Sequence, residues 1–319
     1  MNDLHHPLHN SHNCHDGEEF REYIRGLLDL IGLAEQYKDL LTDDTSMELY
    51  RQAFTHNSID SLMNYEWLEI LGDGSMNKMI VWYVSRRFPI LQNPDGVKVI
   101  ARLKINMVSK KKFAEIAEGL GMMRFIRYDS EQIQSSNLVA LRSLMEDVLE
   151  AFFGATEWLL DEKVEPGSGY GICYLLLQHI LDSTEISLEF NDLFDPITRL
   201  KETMDVHRNQ FPGNIKYRQM KDPNYIPPVF NPEQSKTSRM MHMHKYPPPL
   251  QKVQCVYQGP GAHGELVLGR GEGPSMDDAK HAAAQDAIYF LEQRNIKKNI
   301  PPYYLRIREW LQTKTDPRR

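Results

Sequence analysis

The sequence predicts an all-helical domain followed by a smaller α+β domain of order α-β-β-β-α. Two observations carry this. From Glu18 to about residue 190, apolar residues recur at helical spacing and no stretch reads convincingly as strand. Further along, three short runs with strand character, NIKYRQM, KVQCVY and ELVLG, lie between two helical patterns. A chain of 319 residues is long enough to bury two cores.

Residues 1–17 hold His5, His6, His9, His12 and His15 around Cys14 and read as a disordered tail, although such a tract can also bind transition metals. The first domain then spans 18–190. EEFREYIRGLLDLIGL and SMELYRQAFTH read as helices. A third runs from NYEWLEILGDGS to about Phe88, where Pro89 and QNPDG make a turn. VKVIARLKINMVSKKKFAEIAEGL reads as a long helix and a short one. Lys110, Lys111 and Lys112 fall between them, as a solvated helix end or as a phosphate contact. Ser143–Asp161 and Gly167–Asp182 complete the helical set, and Asn191–Pro196 reads as a turn-rich linker.

The second domain spans 195–295. Asp195 is placed to cap a helix that has Pro196 at its first position. An insertion at about 221–249 separates the first two strands and carries Lys236, Arg239, His242, His244 and Lys245. VLGRGEGPS reads as strand end and turn before an Ala-rich helix. The remaining 296–319 form a tail in which YYLRIREWLQ is amphipathic, able to dock on the domain or on a partner.

Hydrophobic content of 41% and charged content of 25% are those of a soluble globular chain. No apolar run approaches the roughly 20 residues of a membrane span, and no secretory signal is expected. Three cysteines, odd in number and far apart, read as reduced thiols. An intracellular location follows, with the cytoplasm favoured over the nucleus. The net charge of −7 hides an asymmetry. Residues 206–319 hold 18 Lys+Arg against 10 Asp+Glu, while 1–205 hold 19 against 34. The basic part is where a nucleic-acid contact would be useful.

The acidic part carries the chemistry. Glu66, Glu69 and Asp73 fall within an arc of about 60° on one helix, as do Asp147 and Glu150 on another. Like charges on one face oppose helix formation by about 0.2–0.5 kcal/mol per pair. Carboxylates set into apolar surface cost more unless compensated. One such pair is usually a solvated face. Two, each beside an apolar run, suit a hard divalent cation such as Mg2+ or Mn2+.

The wording of these stretches goes further. LEILGD resembles the ribonuclease III signature NERLEFLGD, and EDVLEAFFGA resembles that family's DxxEAxxGA stretch. FTHNS, at Phe54–Ser58, resembles its LTHRS segment. The order is the family's, and so is the 74-residue separation of Asp73 from Asp147. VLGRGEGPS with AKHAAA resembles the double-stranded RNA-binding domain that commonly follows. The fold implied is an all-helical ribonuclease III catalytic domain followed by an α-β-β-β-α double-stranded RNA-binding domain.

The resemblance implies an endoribonuclease that cleaves double-stranded RNA to products with 5′ phosphates and short 3′ overhangs. Glu69, Asp73, Asp147 and Glu150 would be catalytic and hold Mg2+, with Mn2+ able to substitute. Two ions about 3.5–4 Å apart can activate water, stabilise phosphoryl charge and assist the departing 3′ oxygen. RNA would be met by Glu66, Thr198, Lys201, Glu202, Ser275 and Lys280. A homodimer would form with Ile70 at its interface, where the family has an aromatic plug. Three departures stand out. Val97 occupies the place of a further family glutamate, with Asp95 nearby. Met276 and Asp277 replace two lysines, and the 221–249 insertion could compensate. The competing reading is a non-catalytic double-stranded RNA-binding or structural subunit. The presence of all four carboxylates, which unliganded would only destabilise, favours the enzyme.

Overall fold

The computed structural model describes residues 17–133, 137–220, 250–260 and 265–313. The His-rich tract and the 221–249 insertion lie outside the described residues. The chain divides into two compact units between Ile186 and Ser187. Among the described residues, no helix is long and apolar enough to cross a membrane.

The first unit is helical. α1 (Glu18–Asp29) buries Phe20, Ile24, Leu27 and Leu28, a stripe at the helical period. α2 (Glu35–Leu41) and α3 (Asp44–Ala53) follow, and Asp43 caps α3 by accepting from Ser46 N at 2.8 Å. α4 (Glu66–Arg87), α5 (Val97–Met107), α6 (Lys110–Gly119), α7 (Leu138–Lys163) and α8 (Ser168–Asp182) complete the unit. The expected long and short helices over 97–120 are of nearly equal length. They part at Val108 and Ser109, because the Ser109 hydroxyl caps α6 by accepting from Lys112 N. The FTHNS stretch is pinned to a distant turn. Thr55 and Arg127 form an isolated bridge, in which His56 N donates to Arg127 O and Arg127 N to Phe54 O, each at 2.9 Å.

α7 is the core helix. It is buried almost all round from Leu144 to Leu160, with Phe152 and Phe153 wholly enclosed. Truncating a phenylalanine so placed costs about 3–5 kcal/mol. α4 packs across α7 at two glycines. A Cβ at Gly72 would lie 1.9 Å from the Glu150 carbonyl oxygen, and one at Gly154 would lie 2.1 Å from that of Leu68. Backbone therefore meets backbone at the crossing, and the side chains flanking it are drawn together.

The second unit has the order α-β-β-β-α within it. The stretch read as a linker contains one helical turn, α9 (Phe190–Leu193), because Leu193 is buried and Phe190 packs on Phe194 with ring centroids 4.8 Å apart. α10 (Pro196–Val206) is capped by Asp195, which accepts from Thr198 N at 2.9 Å. β1 (Asn214–Gln219), β2 (Gln251–Gln258) and β3 (Glu265–Gly273) form an antiparallel sheet in chain order, with a register shift between Cys255 and Val256. α11 (Met276–Glu292) packs on the sheet through Ala279, Ala283 and Ala287.

β3 runs farther than expected, through the stretch read as a turn. Its glycines are there for close approach. A Cβ at Gly269 would lie 2.4 Å from Ala283 O, and one at Gly271 2.2 Å from Ala283 N. Glycines on the strand facing alanines on the helix let the two backbones nearly touch. The C-terminal α12 (Pro302–Thr313) docks within its own unit. Tyr304 meets Phe190 edge-on at 5.1 Å, and Arg308 Nε donates to Glu189 at 3.1 Å.

Candidate active site

α4 and α7 bring three of the four expected carboxylates together. Single oxygens of Glu69, Asp147 and Glu150 all lie within 4.8 Å of one another, and this is the compact acidic group among the described residues. Glu150 is buried, while Glu69 and Asp147 are half-buried. Asp73 sits one turn beyond Glu69, exposed and outside that group, where the Asn77 amide donates to its carboxylate. Its charge still reaches Glu150.

The electrostatics follow from the crowding. Burial, then repulsion from Asp73, Glu146, Glu69 and Asp147, pushes Glu150 up to about 8. Burial and repulsion from Asp147, Glu146 and Glu66 push Glu69 up to about 7, with Lys110 opposing. Burial also raises Asp147, against a hydrogen bond from Tyr65 Oη to Asp147 Oδ2 at 3.0 Å. Lys110 alone does not balance so many negative charges. The group's donors are hard oxygens on two rigid helices, a set that fits Mg2+ or Mn2+.

Two partners were not singled out from the sequence. Tyr65 lies four residues before Glu69 on the same face and orients Asp147. Glu146 stands one turn before Glu150, a spacing that could have flagged it. It is 8% exposed and raised by burial. Lys110 Nζ lies 3.2 Å from Glu146 Oε2, within ion-pair range, although that oxygen is not aligned for a hydrogen bond. The lysine instead donates to Ser143 Oγ at 3.0 Å.

The other expected residues are placed as follows. Glu66 is exposed and accepts from Asn57 Nδ2 at 2.8 Å. Ile70, 74% exposed, shares its surface with Trp67 and Trp158, whose rings meet edge-on at 5.5 Å. His56 serves its turn, accepting from Ser58 N at 3.0 Å, and burial lowers it. Val97 opens α5 exposed, and neither it nor Asp95 belongs to the compact acidic group. In the second unit, the Thr198 hydroxyl donates to Asp195 at 2.6 Å and Lys298 donates to Glu202 at 2.8 Å. Ser275 caps α11, Lys280 pairs with Asp277 at 3.1 Å, and Lys201 is exposed.

A family model described as Ribonuclease-III-like matches residues 46–158, which span both carboxylate helices. A protein of Invertebrate iridescent virus 6, provisionally named ribonuclease 3, is 33% identical over 89% of this chain and 91% of its own length. A second, of Frog virus 3 and provisionally named likewise, is 41% identical over 56% of this chain, and the match spans 48% of that longer protein. The ribonuclease 3 of Methylococcus capsulatus is 31% identical over 49% of this chain and 62% of its own. Among solved structures, the nuclease domain of a Campylobacter jejuni ribonuclease III is similar at 24% identity. It covers 50% of this chain and 98% of that one, with a TM-score of 0.37. Because the iridescent-virus match runs almost end to end in both proteins, this chain belongs to the ribonuclease III family and is an endoribonuclease of that type.

Proposed function

We propose that the chain is a divalent-metal-dependent endonuclease of double-stranded RNA, working as a homodimer. Its products would carry 5′ phosphates and short 3′ overhangs. The observation that carries this is the convergence of Glu69, Asp147 and Glu150 from two helices locked at Gly72 and Gly154. Glu69, Asp147 and Glu150 would hold the metal, with Asp73 at its edge. Bound there, Mg2+ or Mn2+ would supply an activated water and neutralise charge on the phosphoryl oxygens.

The chain's own residues prepare that site. Tyr65 fixes the Asp147 carboxylate and Asn77 fixes that of Asp73, so neither must be ordered when RNA arrives. Burial keeps Glu150 short of solvent and disposed to take a cation. In a duplex the two scissile bonds are related by a two-fold axis, which suits a symmetric dimer. The exposed Ile70 beside Trp67 and Trp158 supports that interface.

The α10-β1-β2-β3-α11 arrangement supports reading the second unit as a double-stranded RNA-binding module. Lys201, Lys280, Thr198, Glu202 and Ser275 are its candidate contacts, weakened by Asp277. The buried, unpaired Cys173 and Cys255 fit a reducing intracellular compartment. Incubation of the full chain with long duplex RNA and Mg2+, followed by end analysis, tests the proposal. Staggered cuts in the duplex, with single strands of the same sequence far poorer substrates, are expected.

A further inference from the structure

The carboxylate centre carries a cation of its own in Lys110. Its side chain is 68% exposed, whereas that of Glu146, 3.2 Å away, is 10% exposed. Packing does not explain this pair. Glu146 is buried on α7 immediately before Asp147, and its Oε2 has no aligned hydrogen bond among the described residues. Lys110 opens α6, and Lys111 and Lys112 follow it in the same first turn, which contains no acidic residue. The start of a helix disfavours cations, because its free N–H groups are already positive. Two local rules are thus broken side by side, one on each helix, at the edge of the candidate active site. Such places are expected to be functional.

We propose that Lys110 contacts the substrate. Glu146 and Ser143 would hold its ammonium at the rim of the carboxylate centre, where it meets a non-bridging oxygen of the RNA phosphodiester. This rests on the reading of the chain as a nuclease of duplex RNA. The chemistry requires such a group. Glu69, Asp73, Glu146, Asp147 and Glu150 crowd the site with negative charge, and a phosphodiester brings more. A cation at the rim offsets that repulsion on binding. It gains strength as charge builds on the phosphoryl oxygens in the transition state. Asp147 and Glu150 also attract Lys110. Glu146 keeps the ammonium off them, so they stay available as ligands. Glu146 is accordingly a positioning residue that acts through Lys110.

The test uses the full chain in two assays: single-turnover cleavage of a blunt RNA duplex with Mg2+, and duplex affinity with Ca2+. K110Q is expected to slow cleavage at saturating duplex by about 10–100-fold. K110R should recover most of the loss. K111Q removes the same charge from the adjacent position and should change the rate little. E146Q should slow cleavage, and K110Q/E146Q should be no slower than K110Q alone. Equal effects of K110Q and K111Q would reduce Lys110 to general surface charge and overturn the proposal. Additive losses, with Mn2+ binding weakened in E146Q, would make Glu146 a metal ligand and overturn the anchor role. If the wild-type chain leaves duplex uncut, the nuclease reading fails first and this proposal falls with it.

Discussion

Gly72 and Gly154 face each other where α4 crosses α7, and a Cβ on Gly72 would stand 3.0 Å from Gly154 N as well as colliding with the Glu150 backbone. This contact sets the separation of the carboxylates. Glu69 and Asp73 flank Gly72 on one helix, and Glu150 is the residue whose carbonyl Gly72 touches on the other.

Gly72→Ala must push the helices apart, and overpacking of this kind costs about 1–3 kcal/mol. Gly74→Ala is the control. Nothing lies within 4 Å of the Cβ it would add, so alanine should be neutral or stabilise by up to about 1 kcal/mol through helix propensity. Denaturant midpoints measure both. Equal destabilisation by the two changes would show that the crossing is not tightly packed.

The raised carboxylates make a second expectation. Glu69 at about 7 and Glu150 at about 8 hold protons more tightly in the folded chain than their ordinary value of 4.5. Their contribution to stability is therefore fully present below about pH 4.5 and is lost as pH rises through 7 to 8. Chelator-treated protein should show this loss in melting temperature between about pH 5 and 8, and Glu150→Gln should flatten it. Added Mn2+ should restore more stability at pH 8 than at pH 6, since it competes with protons for the same oxygens. A wild-type profile no steeper than that of Glu150→Gln would remove the electrostatic account of the site.

The second unit allows a sharper test than its sequence did. Asp277 not only stands where a cation was expected but also pairs with Lys280. Asp277→Lys adds one phosphate contact and frees another, so duplex affinity should rise. The log–log salt slope should also steepen, each new contact adding about −0.9 for duplex DNA and a similar order for RNA. Met276 packs against the core of this unit, so Met276→Lys should carry a stability cost as well. An unchanged slope with Asp277→Lys would place RNA elsewhere.

Much of this was legible in the sequence because it is local. Helical periodicity, the cap at Asp195, and the shared faces of Glu69 with Asp73 and of Asp147 with Glu150 all depend on residues a few positions apart. What was missed depends on long-range contact. The close approach at Gly72 was not legible because its partners, Glu150 and Gly154, lie more than seventy positions away. Gly269 and Gly271 read as a turn because their alanine partners on α11 were not visible from the strand. α9 read as linker because its reason to form is the burial of Leu193. Asp73 is a different case: it lies outside the compact acidic group, and the Asn77 amide that donates to it is only four positions away.

The central claim is that Glu69, Asp147 and Glu150 form one divalent-metal centre. The most direct measurement is Mn2+ binding to the full chain and to Glu150→Gln, with duplex affinity and cleavage recorded on the same samples. The account expects saturable Mn2+ binding in the wild type that tightens with pH. In Glu150→Gln it expects binding to be lost and cleavage abolished, with duplex affinity retained, because Gln keeps the size but not the charge. Wild-type Mn2+ affinity together with near-normal turnover in Glu150→Gln would contradict it.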